Sequence, residues 1–138
     1  MRDYLCRGKR VDNGKYAFGY YVEKKSAEGD LYVIENDKES HIVDPKTVGQ
    51  FIGLKDKNNM MIFDGDIFTV MGRSPKLVKF IDKIAAFCIA NVEQLKDEKY
   101  VNIWGPMNEV WWNDFRDYIE VIGNIHDNPE LLKGGEND

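Results

Sequence analysis

The segment IFTVMGRSPKLVKFIDKIAAFCIAN, residues 67–91, decides the fold class. Its apolar residues fall into three runs of strand length, at residues 67–71, 77–81 and 85–91. Gly72-Arg73-Ser74-Pro75 and Asp82-Lys83 separate these runs at hairpin spacing, and glycine, proline, serine and aspartate are common turn residues. The segment therefore predicts three antiparallel strands joined by tight turns.

The sequence before this segment also consists of short strands and turns. Residues 16–22 alternate with a period of two, and Asn13-Gly14 before them is a turn signal. Further strands are expected at residues 31–34, 40–43, 48–54 and 60–63. The pattern predicts an N-terminal β-meander over residues 1–60.

The sequence after the central segment is less regular. Residues 93–98 are expected to form a charged loop, and Ile119, Val121 and Ile125 fall on one face of a last strand. Residues 100–104 and 109–112 could form a hairpin, or residues 107–116 one helical turn, and the pattern leaves this open. Several short antiparallel strands indicate a small barrel or a sandwich, and the fold class is predicted to be mainly β. The best division places a small barrel at residues 61–133.

A short helical turn is expected to follow the last strand. Asn128 could cap it, with Pro129 at its first position. Leu131 and Leu132 would then fold back over an open end of the barrel. Residues 134–138 are expected to form a mobile tail.

Composition indicates a soluble globular protein of one domain or two small lobes. Of the 138 residues, 43% are apolar and 31% are charged. No apolar leader follows Met1 and no apolar run reaches the length of a membrane span, so we expect a cytoplasmic protein with no membrane partner. Cys6 and Cys88 are expected to be buried free thiols.

Net charge argues against nucleic acid as a partner. The chain carries a net charge of −5, and phosphate neutralisation supplies most non-specific affinity for nucleic acid. Basic residues concentrate in residues 2–15 and acidic residues in residues 109–138. These segments form either two solvated surfaces or a head-to-tail attraction between subunits.

The acidic turns invite a comparison with metal sites. Counted from Asp56, the sixth position of a calcium loop would be Met61 and the twelfth Ile67, where glycine and glutamate are needed. Asx side chains that bond to their own turn explain Asp56 more simply. Asp64-Gly65-Asp66 is interpreted in the same way, as the start of a strand rather than a pair of catalytic carboxylates.

Other catalytic patterns are not recognisable. His41 and His126 fit no metal-ligand spacing, and the sequence has no nucleophile motif and no glycine-rich phosphate loop. We therefore expect no enzymatic activity, no catalytic residue, no metal and no cofactor.

A binding surface is predicted from large apolar residues that occur beside turns or in adjacent pairs. Tryptophan and tyrosine are common in protein interfaces because they bury a large area and also carry a polar group. Methionine adds adaptable apolar area. The candidate interface residues are Tyr21, Met60, Met61, Trp104, Trp111 and Trp112. Which tryptophan is exposed is left open.

Two long motifs carry a family resemblance. The first signature, residues 53–67, reads GLKDKNNMMIFDGDI, and the second signature, residues 120–132, reads EVIGNIHDNPELL. With Arg7-Gly8-Lys9-Arg10 near the start, they resemble the YopX-like family over nearly the whole chain. At Asn59 the family usually has glycine, and asparagine is the next-best residue at positive φ, so we expect the turn to be kept.

The resemblance implies a phage or prophage origin, a C-terminal SH3-like barrel over residues 61–133 and self-association. The family has no established activity, so no functional residue is carried over. We expect an accessory protein that works by protein–protein contacts, with itself as partner or with a host or phage protein. The alternative is a nucleic-acid-binding small barrel that uses the basic N-terminal segment.

Overall fold

The computed structural model describes residues 5–96 and 105–132, and the chain divides into two compact units. The first unit is Met1–Gly53 and the second is Leu54–Asp138. The sequence placed this division after residue 60. The expected strand at residues 100–104 and the expected tail at residues 134–138 lie outside the described residues.

The first unit is built from five strands and one turn of 3₁₀ helix. In chain order these are β1 (Cys6–Lys9), β2 (Tyr16–Lys24), β3 (Leu31–Glu35), β4 (Ser40–Ile42), the 3₁₀ turn Pro45–Thr47 and β5 (Gly49–Lys55), which continues past the boundary. The sheet has the order β4-β3-β2-β1-β5-β6, in which β6 is Met61–Phe63. The sequence pattern predicted all of these strands except β1.

Strands β1 to β4 pair antiparallel in chain order, as the predicted meander requires, and the end of β4 also returns to β1. Arg10 and Val43 form an antiparallel bridge. Val11 N–H donates to the carbonyl of Ile42 at 3.1 Å, and Asp44 N–H donates to the carbonyl of Lys9 at 2.9 Å. Alternation then places one side of the strands inside, where Ala17, Ile34 and Val43 form the buried core of the unit.

Gly19 marks the point at which β2 changes partner. Up to Gly19 the strand pairs with β1, and from Tyr20 onward it pairs with β3. A Cβ atom built on Gly19 would lie 2.2 Å from the backbone oxygen of Glu35. Close approach of two backbones therefore requires glycine here.

The second unit contains the hairpin-rich central segment. Its described elements after β6 are β7 (Asp66–Val70), β8 (Arg73–Ile81), the 3₁₀ turn Asp82–Ile84, β9 (Ala86–Asn91), the 3₁₀ helix Val92–Lys96, β10 (Gly105–Pro106), α1 (Glu109–Phe115), the 3₁₀ turn Arg116–Tyr118 and β11 (Ile119–Asn124). The sheet has the order β10-β9-β8-β7-β11. The predicted fold class, mainly β, is confirmed.

The two units share one feature of strand pairing. In the first, a 3₁₀ turn precedes β5, which pairs antiparallel with β1; in the second, helical segments precede β11, which pairs antiparallel with β7. The SH3-like barrel that the resemblance implies for residues 61–133 stays a prediction.

One region that the sequence left open and one that it predicted to be a loop are both helical. Residues 109–115 form α1, and the side-chain oxygen of Asn108 caps this helix by accepting from Trp111 N–H at 2.9 Å. The predicted loop at residues 93–98 begins instead within the 3₁₀ helix Val92–Lys96. No helix among the described residues is long and apolar enough to cross a membrane.

The core of the second unit confirms the predicted packing of the C-terminal leucines. Ile67, Leu77 and Val92 form a buried cluster. Leu95, Ile125, Leu131 and Leu132 pack against it. Cys88 is buried and Cys6 half-buried, and the two cysteines do not form a disulfide.

Candidate functional site

The two signatures form one structure, although more than fifty residues separate them in the chain. In the ladder between β7 and β11, Asp66 pairs with Asn124 and Ile67 pairs with Gly123. Ile125 N–H also donates to the carbonyl of Gly65 at 3.0 Å. The signatures therefore fix the first and last strands of the second unit to each other.

Asp56 connects the signatures through its side chain. The carboxylate is buried, with 6% of the residue exposed. Its Oδ1 accepts from the N–H groups of Asn58 and Met60, both at 2.9 Å, and its Oδ2 accepts from Val121 N–H at 3.0 Å. Asn59 has φ of 64°, so the turn that the sequence predicted is present with asparagine at the positive-φ position.

The outer edge of β11, which faces away from β7, is closed by residues of both signatures. Lys57 N–H donates to the carbonyl of Ile119 at 2.9 Å. Val121 N–H is bound by Asp56, and Asn124 N–H is bound by the side-chain oxygen of Asn128 at 3.2 Å. Edge strands with free N–H and C=O groups attract other strands, so this closure protects the sheet.

Residues 129–132 form a 3₁₀ turn that begins at Pro129, as predicted. The prediction that the side chain of Asn128 caps this turn is wrong. The side-chain oxygen of Asn128, however, points back to the N–H of Asn124, because the end of β11 lacks a strand partner on that side.

The other signature carboxylates also bind backbone. Asp66 is buried and its Oδ2 accepts from Phe63 N–H at 2.8 Å, while Asp64 Oδ1 accepts from Phe80 N–H at 3.3 Å. Gly65 between them has φ of 95°, as a tight turn requires. Within residues 5–96 and 105–132, no three His, Cys, Asp or Glu side chains are grouped to hold a metal ion.

Gly123 makes room for Asn128, which leads to a testable prediction. A Cβ atom at Gly123 would lie 2.5 Å from Asn128 Oδ1 and 2.9 Å from Leu131 Cδ1. We expect Gly123→Ala to lower the free energy of unfolding by about 1–3 kcal/mol, measured by chemical denaturation, because both contacts must shift. In an Asn128→Ala background the same change should cost less, since residues in contact are non-additive. Additive losses in the double variant would contradict the contact.

The first unit presents a second feature, an exposed apolar face. Residues directly opposite in paired strands share a face of the sheet, and the registers place Phe18 and Tyr20 of β2, Leu31 of β3 and Ile42 of β4 on the side opposite the core. Their exposed fractions are 43%, 64%, 44% and 46%. We call these four residues the outward face. Among the described residues of this unit, Val11 is the other exposed large hydrophobic residue, and it lies in a turn.

Charged residues of both signs lie on the same side of the sheet as the outward face. In the register between β2 and β3, Glu35 is opposite Tyr20 and Lys24 is opposite Leu31. Lys24 Nζ and Glu35 Oε1 are 2.7 Å apart, and the hydrogen bond from Lys24 lowers the pKa of Glu35. In β1, Arg7 lies opposite Phe18, and its guanidinium carbon is 4.9 Å from the centroid of the Tyr16 ring. The outward face thus has four exposed apolar residues with an ion pair among them and a cation–π contact on the β1 side.

The family model described as YopX protein matches residues 9–133, most of the chain. The chain belongs to the YopX family. No match was found among curated proteins.

The predicted interface residues of this YopX family member are spread over both units. Tyr21 lies on the core side of β2, and burial raises the pKa of its hydroxyl. Met60 is 55% exposed in the turn between β5 and β6, and Met61 is half-buried in β6. Tyr21 therefore belongs to the first unit, whereas Met60 and Met61 belong to the second.

Of the three predicted tryptophans, two lie among the described residues of the second unit. Trp111 and Trp112 are both half-buried in α1. The Trp111 ring packs on Phe68 and Phe115, with centroids 6.4 and 5.3 Å away. Trp104 lies outside the described residues.

Sequence reasoning about this YopX family member missed Phe18, Leu31 and Ile42 as surface residues. Phe18 and Tyr20 are two positions apart in β2, so alternation alone predicts that they lie on the same face. Tyr21 lies on the other face, and a large ring on each face left it open which one points to the core. Leu31 and Ile42 gave no local signal, because only the registers of β3 and β4 place them on the same face of the sheet as Tyr20.

Proposed function

We propose that this chain is a phage- or prophage-encoded accessory protein that acts in the cytoplasm by protein–protein contacts and without enzymatic chemistry. The observation that carries the proposal is the outward face, on which four large apolar side chains are exposed together. Exposed apolar patches with charged residues beside them are typical of protein interaction sites.

A second copy of the chain is the partner that fits this face best. Taking about 200 Å² for each fully exposed large side chain, the outward face offers on the order of 400 Å² of apolar area. A standard interface buries about 800 Å² per partner, and somewhat more than half of it is apolar. The four residues thus supply most of the apolar area that one side of such an interface needs.

Charge also permits self-association through the first unit. Residues 1–53 contain nine Lys and Arg against nine Asp and Glu, whereas residues 54–138 contain ten against fifteen. The net charge of −5 therefore belongs to the second unit, and two first units approach without net repulsion. Lys24 and Glu35 of one copy could also meet Glu35 and Lys24 of the other across a two-fold axis.

Contact through the face is favoured over contact through the edge of β4. The carbonyl of Ile42 already accepts from Val11 N–H, and Val43 is bridged to Arg10. Strand addition at this edge would have to break those bonds. Packing of two apolar sheet faces requires no such loss.

The lack of enzymatic chemistry is supported by the use made of the signature carboxylates. Asp56, Asp64 and Asp66 each accept from backbone N–H groups. A carboxylate held in this way stabilises a turn. Their positions explain the acidic signature without a substrate.

Nucleic acid is the second candidate, and one observation favours it. Lys9 and Arg7 lie opposite Tyr16 and Phe18, and a row of rings beside cations can stack unpaired bases. Arg7 is buried, however, with 8% of the residue exposed, and the first unit has no net positive charge. We therefore expect weak binding that is lost as salt is raised.

The proposed function is tested by native mass across roughly micromolar to submillimolar protein. Light scattering should show a mass above 16.0 kDa, the mass of one chain, that rises with concentration. Tyr20→Glu and Ile42→Lys should each weaken the association on the order of tenfold or more, because each buries a charge at the centre of the contact.

Met71→Lys is the matched control, because Met71 is 57% exposed in a turn of the second unit. It should leave the mass unchanged. Dichroism must show that all three variants remain folded. A wild-type mass of one chain at every concentration would contradict self-association. Equal weakening by Met71→Lys would contradict the assignment to this face.

A further inference from the structure

We propose that the outer edge of β11 is a latent binding site for an extended basic peptide, which this chain closes with its own turn at residues 56–60. We call these five residues the signature turn. The site lies in the second unit and involves none of the outward-face residues. Its test is therefore independent of self-association.

The N–H and C=O groups on this edge have the spacing that pairing with a further antiparallel strand requires. In an antiparallel pair, the two bonds on either side of a non-hydrogen-bonded residue use the N–H of the residue after it and the C=O of the residue before it. Around Glu120 these groups are Val121 N–H and the Ile119 carbonyl. In the structure they bind Asp56 Oδ2 at 3.0 Å and Lys57 N–H at 2.9 Å.

The signature turn imitates a strand without being one. It offers one acceptor from a side chain and one donor from the backbone, and its residues from Lys57 to Met60 are exposed. An extended peptide would offer a carbonyl in place of the Asp56 carboxylate and an N–H in place of Lys57. Strand addition of this kind is a common mode of peptide recognition.

Charge selects the peptide. Glu120 Oε1 lies 3.9 Å from Lys57 Nζ, and Glu120 Oε2 lies 3.5 Å from Asn58 Nδ2. A residue of an added strand opposite Glu120 would lie about 4.5 Å away between Cα atoms. Lysine or arginine there would replace the cation of Lys57. A second copy of β11 would instead place Glu120 against Glu120, which like-charge repulsion disfavours.

The test uses Asp56→Asn in the full chain. An asparagine oxygen in the place of Oδ1 keeps the bonds from Asn58 and Met60, while its NH₂ group faces Val121 N–H, donor against donor. The change should release the turn from Val121 and so expose the edge of β11, while the hydrogen bonds within the turn remain. The probes are two capped five-residue peptides. Each has one threonine and one valine on either side of the central residue, which is lysine in one peptide and glutamate in the other.

We expect the lysine peptide to bind Asp56→Asn at least tenfold more tightly than it binds the wild type, by calorimetry. The glutamate peptide should show no such gain. Asp64→Asn is the matched control, because Asp64 also accepts from a backbone N–H, that of Phe80, but lies off the edge. This control should bind the lysine peptide as the wild type does.

The proposal is overturned if folded Asp56→Asn gains no affinity, or if both peptides or both variants gain equally. If Asp56→Asn does not fold, hydrogen exchange of the wild type decides. If the signature turn detaches from β11 without global unfolding, the Val121 amide should exchange at least tenfold faster than the Val78 amide, which belongs to the interior strand β8. Equal exchange of the two amides, as in global unfolding only, would overturn the proposal.

Discussion

Gly19→Ala is expected to lower the free energy of unfolding by about 3 kcal/mol or more, the upper end of the range for overpacking. The added Cβ would lie 2.2 Å from the Glu35 backbone oxygen and 2.8 Å from its carbonyl carbon. Backbone atoms in a paired strand cannot rotate away as a side chain can. Relief therefore requires β2 and β3 to separate where β2 changes partner.

Gly8→Ala is the comparison for Gly19→Ala in chemical denaturation. Gly8 is buried in the adjacent strand, and its Cβ would meet only side-chain atoms of Val48 and Val43, at 3.1 and 3.2 Å. Its loss should be clearly smaller. If Gly19→Ala unfolds at the same denaturant concentration as the wild type, the close approach of β2 and β3 is contradicted.

Asp56→Ala is expected to have the other large effect, a loss of about 3 kcal/mol in the free energy of unfolding. Removal of the carboxylate leaves the N–H groups of Asn58, Met60 and Val121 without their acceptor, and each buried donor left unsatisfied costs about 1–3 kcal/mol. Because these three N–H groups are only partly buried, water can replace part of the lost bonding. The expected loss of stability is therefore well below three times the upper limit for one buried donor.

Asp44→Ala provides the control for Asp56→Ala. Asp44 also accepts from a backbone N–H, that of Lys46 at 3.0 Å, but it is exposed and serves only its own 3₁₀ turn. Its removal should cost about 1 kcal/mol, as for an ordinary helix cap. Equal losses for the two variants would show that Asp56 serves its own turn and does not hold β11.

Local pattern was sufficient for much of the fold. The alternation in β2 and the apolar runs of β7 and β9 predicted strands close to their observed bounds, whereas β8 begins at Arg73, inside the turn that was expected at residues 72–75. The Asx interpretation also holds for Asp56 and Asp66, which accept from backbone N–H groups within four positions. Asp64 binds a backbone N–H as well, but that of Phe80, 16 positions away. The features that were predicted depend on residues within a few positions of one another.

Long-range features were not predictable from this one sequence. The bond between Asp56 and Val121 joins residues 65 positions apart, and neither residue type indicates the other. Alternation in β2 does not say which side faces the core, because Tyr20 and Tyr21 are chemically equal. Only the registers with β1 and β3 assign Tyr20 to the outward face and Tyr21 to the core side.

The first strand of the first unit was hidden for a related reason. β1 is four residues long and contains Arg7 and Lys9, so it lacks the apolar alternation of a typical strand. Arg7 is nevertheless buried beside the Tyr16 ring. Without β1, the bridge between Arg10 and Val43 that joins the two ends of the meander could not be predicted.

Hydroxyl-radical footprinting at low and high protein concentration tests the central claim, self-association through the outward face, most directly. Oxidation of Phe18 and Tyr20 should fall as the concentration rises from roughly micromolar to submillimolar, the range in which weak to moderate interfaces become populated. Oxidation of Tyr118, which is 50% exposed in the second unit, should not change. Unchanged oxidation of Phe18 and Tyr20 over that range would contradict the account.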